Sequence, residues 1–194
     1  MRNKLHVRAA VMLLGCVLGH SSMMHAQRPP ENVMIYQGDE DKYQPCEPSI
    51  ALSPKNPSVM VAGSILDNVH RSTDGGYSWN TETLTSKYGV FGDPCLVGSP
   101  KGDFYYLHLS NPDGQAWSSD ALLDRIVVQR SKRLGKRWTK GAGMGLNGNK
   151  DQDKEWMAAS VDGSTLLTCW TQFDLYGSPV VTDQSNILCS TSNR

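Results

Sequence analysis

An internal repeat is the feature of this sequence that most restricts its fold. Residues 72–79 read S-T-D-G-G-Y-S-W and residues 131–138 read S-K-R-L-G-K-R-W, so serine, glycine and tryptophan recur at identical offsets. The two copies begin 59 residues apart, and a second step of that length reaches Ser190, where we expect a third copy. Such a period is typical of chains built from several copies of one small structural unit.

Strand-like segments precede each copy in the same order. A β-prone run leads into each shared serine, at residues 68–71, 126–130 and 186–189. Further upstream, two more β-prone segments are separated by turn residues, at residues 53–57, 99–102 and 162–164. A fourth strand is expected to begin at the tryptophan. Four antiparallel strands in chain order make up one blade of a β-propeller.

The sequence therefore predicts an all-β fold of propeller type with about three four-stranded blades. We place the partial propeller at 43–194, after an N-terminal linker at 27–42. The blades are expected at 43–86, 90–145 and 152–194, the last of them incomplete. Three open blades would leave two unpaired sheet edges, which natural folds avoid. Self-association with a second copy would cover those edges, and a truncated relic is the alternative.

Residues 1–26 predict a secretory signal peptide. A basic start precedes an uncharged run over residues 9–19, which is too short to span a bilayer. An alternative interpretation takes residues 13–16, L-L-G-C, as a lipobox, with Cys16 acylated and the mature chain anchored to a membrane. Both interpretations predict export, to the periplasm, the outer surface or the medium.

Charge and cysteine content agree with an exported protein. Without residues 1–26 the chain carries 16 basic and 19 acidic side chains, so no nucleic-acid partner is expected. Four cysteines remain, and an oxidising compartment favours disulfides among them. Of the three possible pairings, Cys169 with Cys189 and Cys46 with Cys95 fits the predicted strands best. The sequence contains no CxxC pair, and we predict neither a metal site nor a cofactor.

The first copy of the repeat has a structural logic. Asp74, together with Ser72, is expected to accept hydrogen bonds from backbone amides of its own turn. Gly76 allows the positive φ that such a turn requires, and Trp79 packs between sheets at the start of the outer strand. In the second copy Arg133 replaces the aspartate, so that turn needs other hydrogen-bond acceptors.

Acidic residues are expected to open the first strand of every blade. In the alignment of the repeats these residues are Glu47, Asp93 and Glu155. First strands are innermost in a propeller, so the three carboxylates should converge on the central channel, where ligands usually bind. Like charges raise one another's pKa, which suits one of them to be a general acid. The alternative role is structural, because an acid before a strand also satisfies backbone N–H groups.

Other side chains near these acids are candidates for contact with a ligand. The long loop of the second blade carries Trp117, which we expect to be an exposed stacking surface. The remaining candidates are Asp124, Arg125, Asp153 and Asp174, with Tyr176 beyond the second strand of the third blade.

The S-T-D-G-G-Y-S-W motif and its degenerate copy resemble the Asp boxes of the sialidase superfamily, over roughly residues 40–194. The resemblance implies half of a six-bladed ring, a carbohydrate partner and an exported sialidase-like glycoside hydrolase of the exo-α-sialidase type. Sialidases use a tyrosine nucleophile, an aspartate acid/base and three arginines that hold the substrate carboxylate. No arginine triad can be assembled here by motif matches. A non-catalytic propeller that binds glycan or protein is therefore the alternative function.

Overall fold

A computed structural model describes residues 32–39 and 44–193. All but one of these residues belong to a single unit, Val33–Arg194. The predicted signal peptide and the alternative lipobox at Cys16 lie outside the described residues. Within the described ranges, no helix has the length and apolar character that crossing a bilayer would require.

The described residues contain eleven β-strands in three antiparallel sheets. The first sheet contains β1 (Ser49–Ser53), β2 (Asn56–Ser64), β3 (Asn68–Ser72) and β4 (Asn80–Thr83). The second contains β5 (Cys95–Gly98), β6 (Phe104–Leu109), β7 (Ile126–Ser131) and β8 (Ala142–Met144). The third contains β9 (Asp151–Ala159), β10 (Thr165–Phe173) and β11 (Ser185–Asn193). One turn of 3₁₀ helix, Ala116–Ser118, lies in the loop between β6 and β7.

Every sheet follows the chain order, with each strand hydrogen-bonded to the next. The first strands are neighbours across the sheets, since β1 contacts β5 and β5 contacts β9. The Ser49 hydroxyl also accepts a hydrogen bond of 3.0 Å from the backbone N–H of Leu96, which links β1 to β5. The predicted all-β fold of propeller-like blades is confirmed.

Two apolar layers hold the sheets together, and β6 contributes to both of them. All six residues of β6 are buried. Phe104 and Tyr106 pack toward the first sheet with Val61 and Val69. Alternate residues of the strand belong to the second layer, between the second and third sheets, with Met157, Leu166 and Trp170. Burying one such large side chain stabilises a fold by about 1.5–3 kcal/mol, so β6 is the central strand of the structure.

The Asp-box turn between β3 and β4 satisfies its own polar groups. The Ser72 hydroxyl donates to Asp74 Oδ1 at 2.8 Å and accepts from the Gly76 N–H at 2.9 Å. The Ser78 hydroxyl donates to Asp74 Oδ2 at 2.5 Å and the Ser78 N–H donates to Asp74 Oδ1 at 3.0 Å. These two hydrogen bonds, followed by the one from the Ser72 hydroxyl, lower the pKa of Asp74. Gly76 has φ 91°, and Trp79 Nε1 donates to its carbonyl oxygen at 2.9 Å. The motif therefore acts here as a turn-forming element.

The second copy of the turn replaces the aspartate with a smaller set of hydrogen bonds. The Ser131 hydroxyl accepts from the Gly135 N–H at 3.1 Å and from the Arg133 N–H at 3.3 Å. Arg133 itself is exposed. The serine common to both copies is thus the residue on which both turns depend.

One of the two expected disulfides is present. Cys169 of β10 and Cys189 of β11 are paired residues in the antiparallel ladder and form a disulfide. The predicted pairing of Cys46 with Cys95 is wrong, because both are free thiols. Cys95 is buried in the apolar layer between the second and third sheets, whereas Cys46 is exposed before β1.

The strand pairing also corrects the alignment of the repeats at the third sheet. Cys95 and Trp156 are equivalent, because each lies four residues before the serine that follows the first strand of its sheet. Across the ladder Cys95 is in line with Val128, and Trp156 is in line with Cys189, so Val128 and Cys189 are equivalent. The shared serine lies three residues further on, which makes Ser192 the equivalent of Ser131. Ser190, expected from the constant spacing, is two residues too early, because the third unit is longer than the second.

Candidate functional site

One left-handed backbone conformation recurs just before the first strand of the first two sheets and within the first strand of the third, and it positions the candidate acids. Glu47, Asp93 and Lys154 have φ 51°, 47° and 53°, all in the left-handed region. Each lies six residues before a serine, Ser53, Ser99 or Ser160, whose hydroxyl accepts a hydrogen bond from a backbone N–H of the following turn. The residue of the third blade that corresponds to Glu47 and Asp93 is therefore Lys154.

The expected equivalence of Glu155 with Glu47 and Asp93 is wrong by one residue. A β-bulge in the third sheet places Lys154 and Glu155 together opposite Trp170 of β10, and the strand begins at Asp151, well before Glu155. Because a bulge inserts a residue on one strand only, it shifts the alignment of everything that precedes it. Glu155 consequently occupies the place that a proline takes in the other two blades.

Three carboxyl groups line one cavity of about 270 Å³, which we term the acidic cavity. They belong to Glu47, Asp93 and Asp153, all of which the sequence proposed as candidates. Aliphatic side chains from other parts of the chain also line it: Ile65, Leu66, Leu109 and Leu123. The cavity thus combines a few polar groups with an apolar lining, as ligand sites usually do.

Aromatic rings form another wall of the acidic cavity. Trp117, Phe91 and Tyr176 all line it. Trp117 packs edge-on against Phe91, with ring centroids 5.7 Å apart, and lies 6.0 Å from Tyr176. Trp117 nevertheless remains 66% exposed and Tyr176 remains 46% exposed. Two large rings held in place but open to solvent offer a stacking surface for a ligand.

Glu47 and Asp93 interact directly. The hydrogen bond to the Asp93 carboxyl is the largest cause of the raised pKa of Glu47, followed by burial and by the negative charge of Asp93. Lys154 acts in the opposite direction, and its Nζ lies 3.7 Å from Asp93 Oδ2. Ionised Asp93 opposes ionisation of Glu47, so Glu47 keeps its proton to a higher pH than a lone glutamate does.

Asp153 is the third acid of the cavity. Burial is the main cause of its raised pKa, and the negative charge of Asp93 raises it further. Its Oδ1 accepts a hydrogen bond of 2.7 Å from the Lys154 N–H. The positive charge of Lys154 lowers the pKa of Asp153 and partly offsets these effects, and the cavity is lined by three acidic residues and by no basic one among the described residues.

Glu155 lies behind the cavity and does not line it. The residue is 3% exposed, and neither carboxyl oxygen has a hydrogen-bond partner among the described residues. Burial raises its pKa well above the usual range, and Asp93 and Asp153 add to the effect. A buried carboxyl of this kind is expected to be neutral, because ionisation without a partner is costly.

Strained backbone is concentrated around the acidic cavity. Six non-glycine residues of the described chain have a positive φ. Glu47, Asp93 and Leu123 line the cavity, while Ala116 and Lys154 each adjoin a residue that lines it; Leu134 is the sixth. Such a backbone conformation costs about 1–3 kcal/mol of stability at each residue and persists only where the surrounding structure holds it. Residues of this kind cluster at functional sites.

The other candidates are held elsewhere. Arg125 forms an ion pair with Asp124, which also accepts a 2.7 Å hydrogen bond from the Ser110 hydroxyl. The Arg125 guanidinium lies 4.5 Å from the ring centre of Tyr88. Asp174 is paired with Lys150. None of Asp124, Arg125 and Asp174 lines the acidic cavity, so the structure gives them positioning roles within loops.

Sequence reasoning missed part of the site. Phe91 and Lys154 were not proposed, nor were Ile65 and Leu66. The shared turn serine, six residues after each of Glu47, Asp93 and Lys154, is the signal that would have identified the lysine. For the apolar residues the sequence holds no comparable signal, because they come from loops of different length.

Comparison with known proteins gives fold similarity only. Neither a family model nor a curated protein matches the chain. A crystal structure of a protein of unknown function from Dyadobacter fermentans is 18% identical, with a TM-score of 0.53, over 82% of this chain and 54% of that one. A mutant α-L-arabinofuranosidase from Fusarium graminearum, in complex with an iminosugar inhibitor, is 13% identical, with a TM-score of 0.53, over 75% of this chain and 44% of that one.

A third structure, the GH74 enzyme of Niastella koreensis, is 15% identical over 75% of this chain and 29% of that one, with a TM-score of 0.33. This chain spans about half the length of the first two proteins. The fold is therefore one that it shares at low identity with solved structures, a glycoside hydrolase among them.

Proposed function

We propose that the acidic cavity binds a neutral carbohydrate and that the protein is an exported glycoside hydrolase. The observation that carries this proposal is one cavity lined by three carboxyl groups, those of Glu47, Asp93 and Asp153, and by aromatic rings that remain partly exposed. Sugars present hydroxyl groups that carboxylates bind and C–H faces that aromatic rings cover. The fold similarity to an α-L-arabinofuranosidase supports the same class of ligand.

In the proposed reaction Glu47 and Asp93 act as one acid. Retaining and inverting hydrolases need carboxyl groups about 5 Å or more apart, on either side of the scissile bond. Because the Asp93 carboxyl is the largest cause of the raised pKa of Glu47, we assign both to the same side of the bond. Glu47 donates its proton to the glycosidic oxygen as the C–O bond breaks, while Asp93 keeps the proton available by raising the pKa of Glu47.

The second carboxylate in the proposed reaction is Asp153. It lines the same cavity, and when ionised it can stabilise the positive charge that develops on the sugar or activate a water molecule. Burial limits the solvent that would otherwise weaken this electrostatic effect. Asp153 must be ionised while Glu47 is protonated, which predicts that the rate has both an acidic and an alkaline limb.

The charge of the cavity favours a neutral sugar over a sialic acid. Three carboxyl groups line it, and no arginine is among the described residues that do. A sialoside carries its own carboxylate, which these acids would repel. The exo-α-sialidase activity implied by the Asp-box resemblance is therefore the less favoured form of the proposal, and a sialoside belongs in its test.

The test is a screen of the full chain against aryl glycosides. The panel contains the 4-nitrophenyl α-L-arabinofuranoside, β-D-xyloside, β-D-glucoside and β-D-galactoside, together with a 4-methylumbelliferyl sialoside. Glu47→Gln is expected to lower kcat/KM by about 10²–10⁴-fold, as loss of a general acid does. The matched control is Glu82→Gln, an exposed carboxylate of β4, which is expected to retain full activity.

Each outcome decides between the proposed functions. Turnover of a neutral glycoside that Glu47→Gln abolishes supports the hydrolase. Binding of a glycan without turnover contradicts catalysis and supports a glycan-binding propeller. Preference for the sialoside contradicts the neutral ligand, and failure to bind or cleave any member of the panel overturns the proposal.

Export is proposed together with the function, and the Cys169–Cys189 disulfide supports an oxidising compartment. Cell fractionation of a C-terminally tagged chain tests it, with Cys16→Ser as the variant that separates the two signals. A secreted or periplasmic product of unchanged mass in both chains supports a cleaved signal peptide. Loss of membrane attachment in Cys16→Ser supports the lipoprotein, and a cytoplasmic disulfide-free chain contradicts export.

A further inference from the structure

A second cavity adjoins the acidic cavity at its aromatic wall. This adjacent cavity, of about 170 Å³, shares Trp117, Leu123 and Tyr176 with the acidic cavity. It adds three polar side chains of its own, those of Ser119, Asp120 and Asp151. One pair of rings therefore lines two concave sites, each of which combines the same rings with different polar groups.

The rings are held in this position by their loops. The Tyr176 N–H donates to Asp151 Oδ2 at 2.7 Å, and Phe173 packs edge-on against the Tyr176 ring at 5.4 Å. The Ala116 N–H donates to Asn111 Oδ1 at 3.0 Å, which holds the strained residue that precedes Trp117. The two rings are thus preorganised, and both remain partly exposed to solvent and so open to a ligand.

The polar groups of the adjacent cavity differ in availability. Ser119 donates to Asp113 and accepts from the Ala121 N–H, and Asp151 holds the backbone of Tyr176. Asp120 is exposed at the mouth and is the carboxylate best placed to bind sugar hydroxyls. This cavity contains no counterpart of the Glu47–Asp93 pair, so it is suited to binding and not to proton transfer.

We propose that the adjacent cavity is a second sugar subsite, and that the ligand is an oligosaccharide with consecutive units in the two cavities, both in contact with Trp117 and Tyr176. The inference rests on the proposed function, because the acidic cavity must bind the first unit. It adds that the protein recognises a chain of at least two neutral sugars and that Asp120 contributes to its specificity. A single terminal sugar would use only half of the aromatic surface.

The test compares each monosaccharide with its own disaccharide on the full chain. Titration calorimetry is run with arabinose and arabinobiose, xylose and xylobiose, glucose and cellobiose, and galactose and galactobiose, while tryptophan fluorescence reports contact with the wall. At least one disaccharide is expected to bind about tenfold more tightly than its monosaccharide, the gain from a few additional hydrogen bonds.

Variants separate the two subsites. Asp120→Ala is expected to abolish the gain from the second unit and leave monosaccharide affinity unchanged, whereas Glu47→Gln weakens the binding of both. The matched control, Glu82→Ala on β4, changes neither. Equal affinity for the two members of every pair overturns the second subsite while the proposed function stands. If no sugar of the panel binds, the proposed function fails and the subsite fails with it.

Discussion

At the scale of single residues, the chemistry of the acidic cavity depends on which carboxyl contacts which. Glu47 owes its raised pKa first to Asp93, whereas Asp153 and Glu155 owe theirs first to burial. A carboxyl that is tuned by a neighbour can be retuned by changing that neighbour. A carboxyl that is tuned by burial changes only when its surroundings are repacked.

The first residue-scale prediction concerns the pH dependence of activity. In Asp93→Asn the negative charge that raises the pKa of Glu47 is absent, so Glu47 loses its proton at a lower pH. The alkaline limb of the kcat/KM profile is therefore expected to move to lower pH. Asparagine tolerates a left-handed φ about as well as aspartate does, so the fold should be retained. An unchanged alkaline limb would contradict the role of the pair.

The second residue-scale prediction concerns Glu155 and stability. Because the pKa of Glu155 is raised in the folded state, its contribution to stability is fully present below the ordinary value of 4.5 and is lost as pH rises through the folded pKa. Each unit of difference between the folded and unfolded pKa contributes about 1.4 kcal/mol.

Glu155→Gln removes this titration. Its free energy of unfolding, measured by urea titration at pH 4 and pH 8, is expected to fall less between the two values than that of the wild type. Asp162→Asn, at an exposed turn where the carboxylate has a lowered pKa, is the control in which the opposite pH trend is lost. Parallel curves for Glu155→Gln and the wild type would show that Glu155 titrates alike in the folded and unfolded states, which would contradict the prediction.

At the scale of elements, most of the architecture could be predicted because each strand carries its own signal. β-prone runs and turn residues marked the strands, and the Asp-box turn marked the step from β3 to β4. The bulge at Lys154 could not be predicted, since an inserted residue has no signature in a strand pattern. It moved Glu155 out of the site and Lys154 into it, which spacing alone could not show.

The element-scale prediction concerns the disulfide between β10 and β11. The two cysteines are 20 residues apart in sequence, and a cross-link that closes a loop of this size stabilises a protein by about 3 kcal/mol in the chain-entropy model. The double variant Cys169→Ser, Cys189→Ser is expected to lower the free energy of unfolding by roughly this amount. Cys46→Ser, which removes an exposed free thiol, is the matched control, and an equal loss in both would contradict the prediction.

At the scale of the whole molecule, the repeat brings distant parts of the chain to one site. The acidic cavity draws residues from the segments before β1 and β5, from β9, from the loop between β2 and β3, and from the long loops after β6 and β10. Convergence of the acids was predictable from the order of strands within a blade. The pairing of Glu47 with Asp93, and the aromatic wall, were not, because they depend on how neighbouring sheets are rotated against each other.

The whole-molecule prediction concerns the outer face of the third sheet. Trp156, Leu167 and Ile187 are 68%, 44% and 73% exposed, and the ladder places them on the same face, next to the disulfide. Exposed apolar sheet faces of this kind promote association. The full chain is therefore expected to self-associate as its concentration rises, measured as molar mass by light scattering.

Ile187→Lys is expected to reduce this association. Val181→Lys is the control, because Val181 is 98% exposed but lies in a loop and not on the sheet. Equal molar masses for the wild type and Ile187→Lys at all concentrations would show that this face does not mediate association.

The left-handed backbone conformation shared by the three sheets makes the side chains at three positions interchangeable. One backbone conformation places Glu47, Asp93 and Lys154, and the serine that follows each of them closes the next turn independently of the side chain presented. Substitutions at these three positions can thus change the charge in and beside the cavity while the path of the backbone stays constant. For protein engineering, a small library at these positions would vary ligand preference on a fixed scaffold, and the same freedom would be open to natural variation.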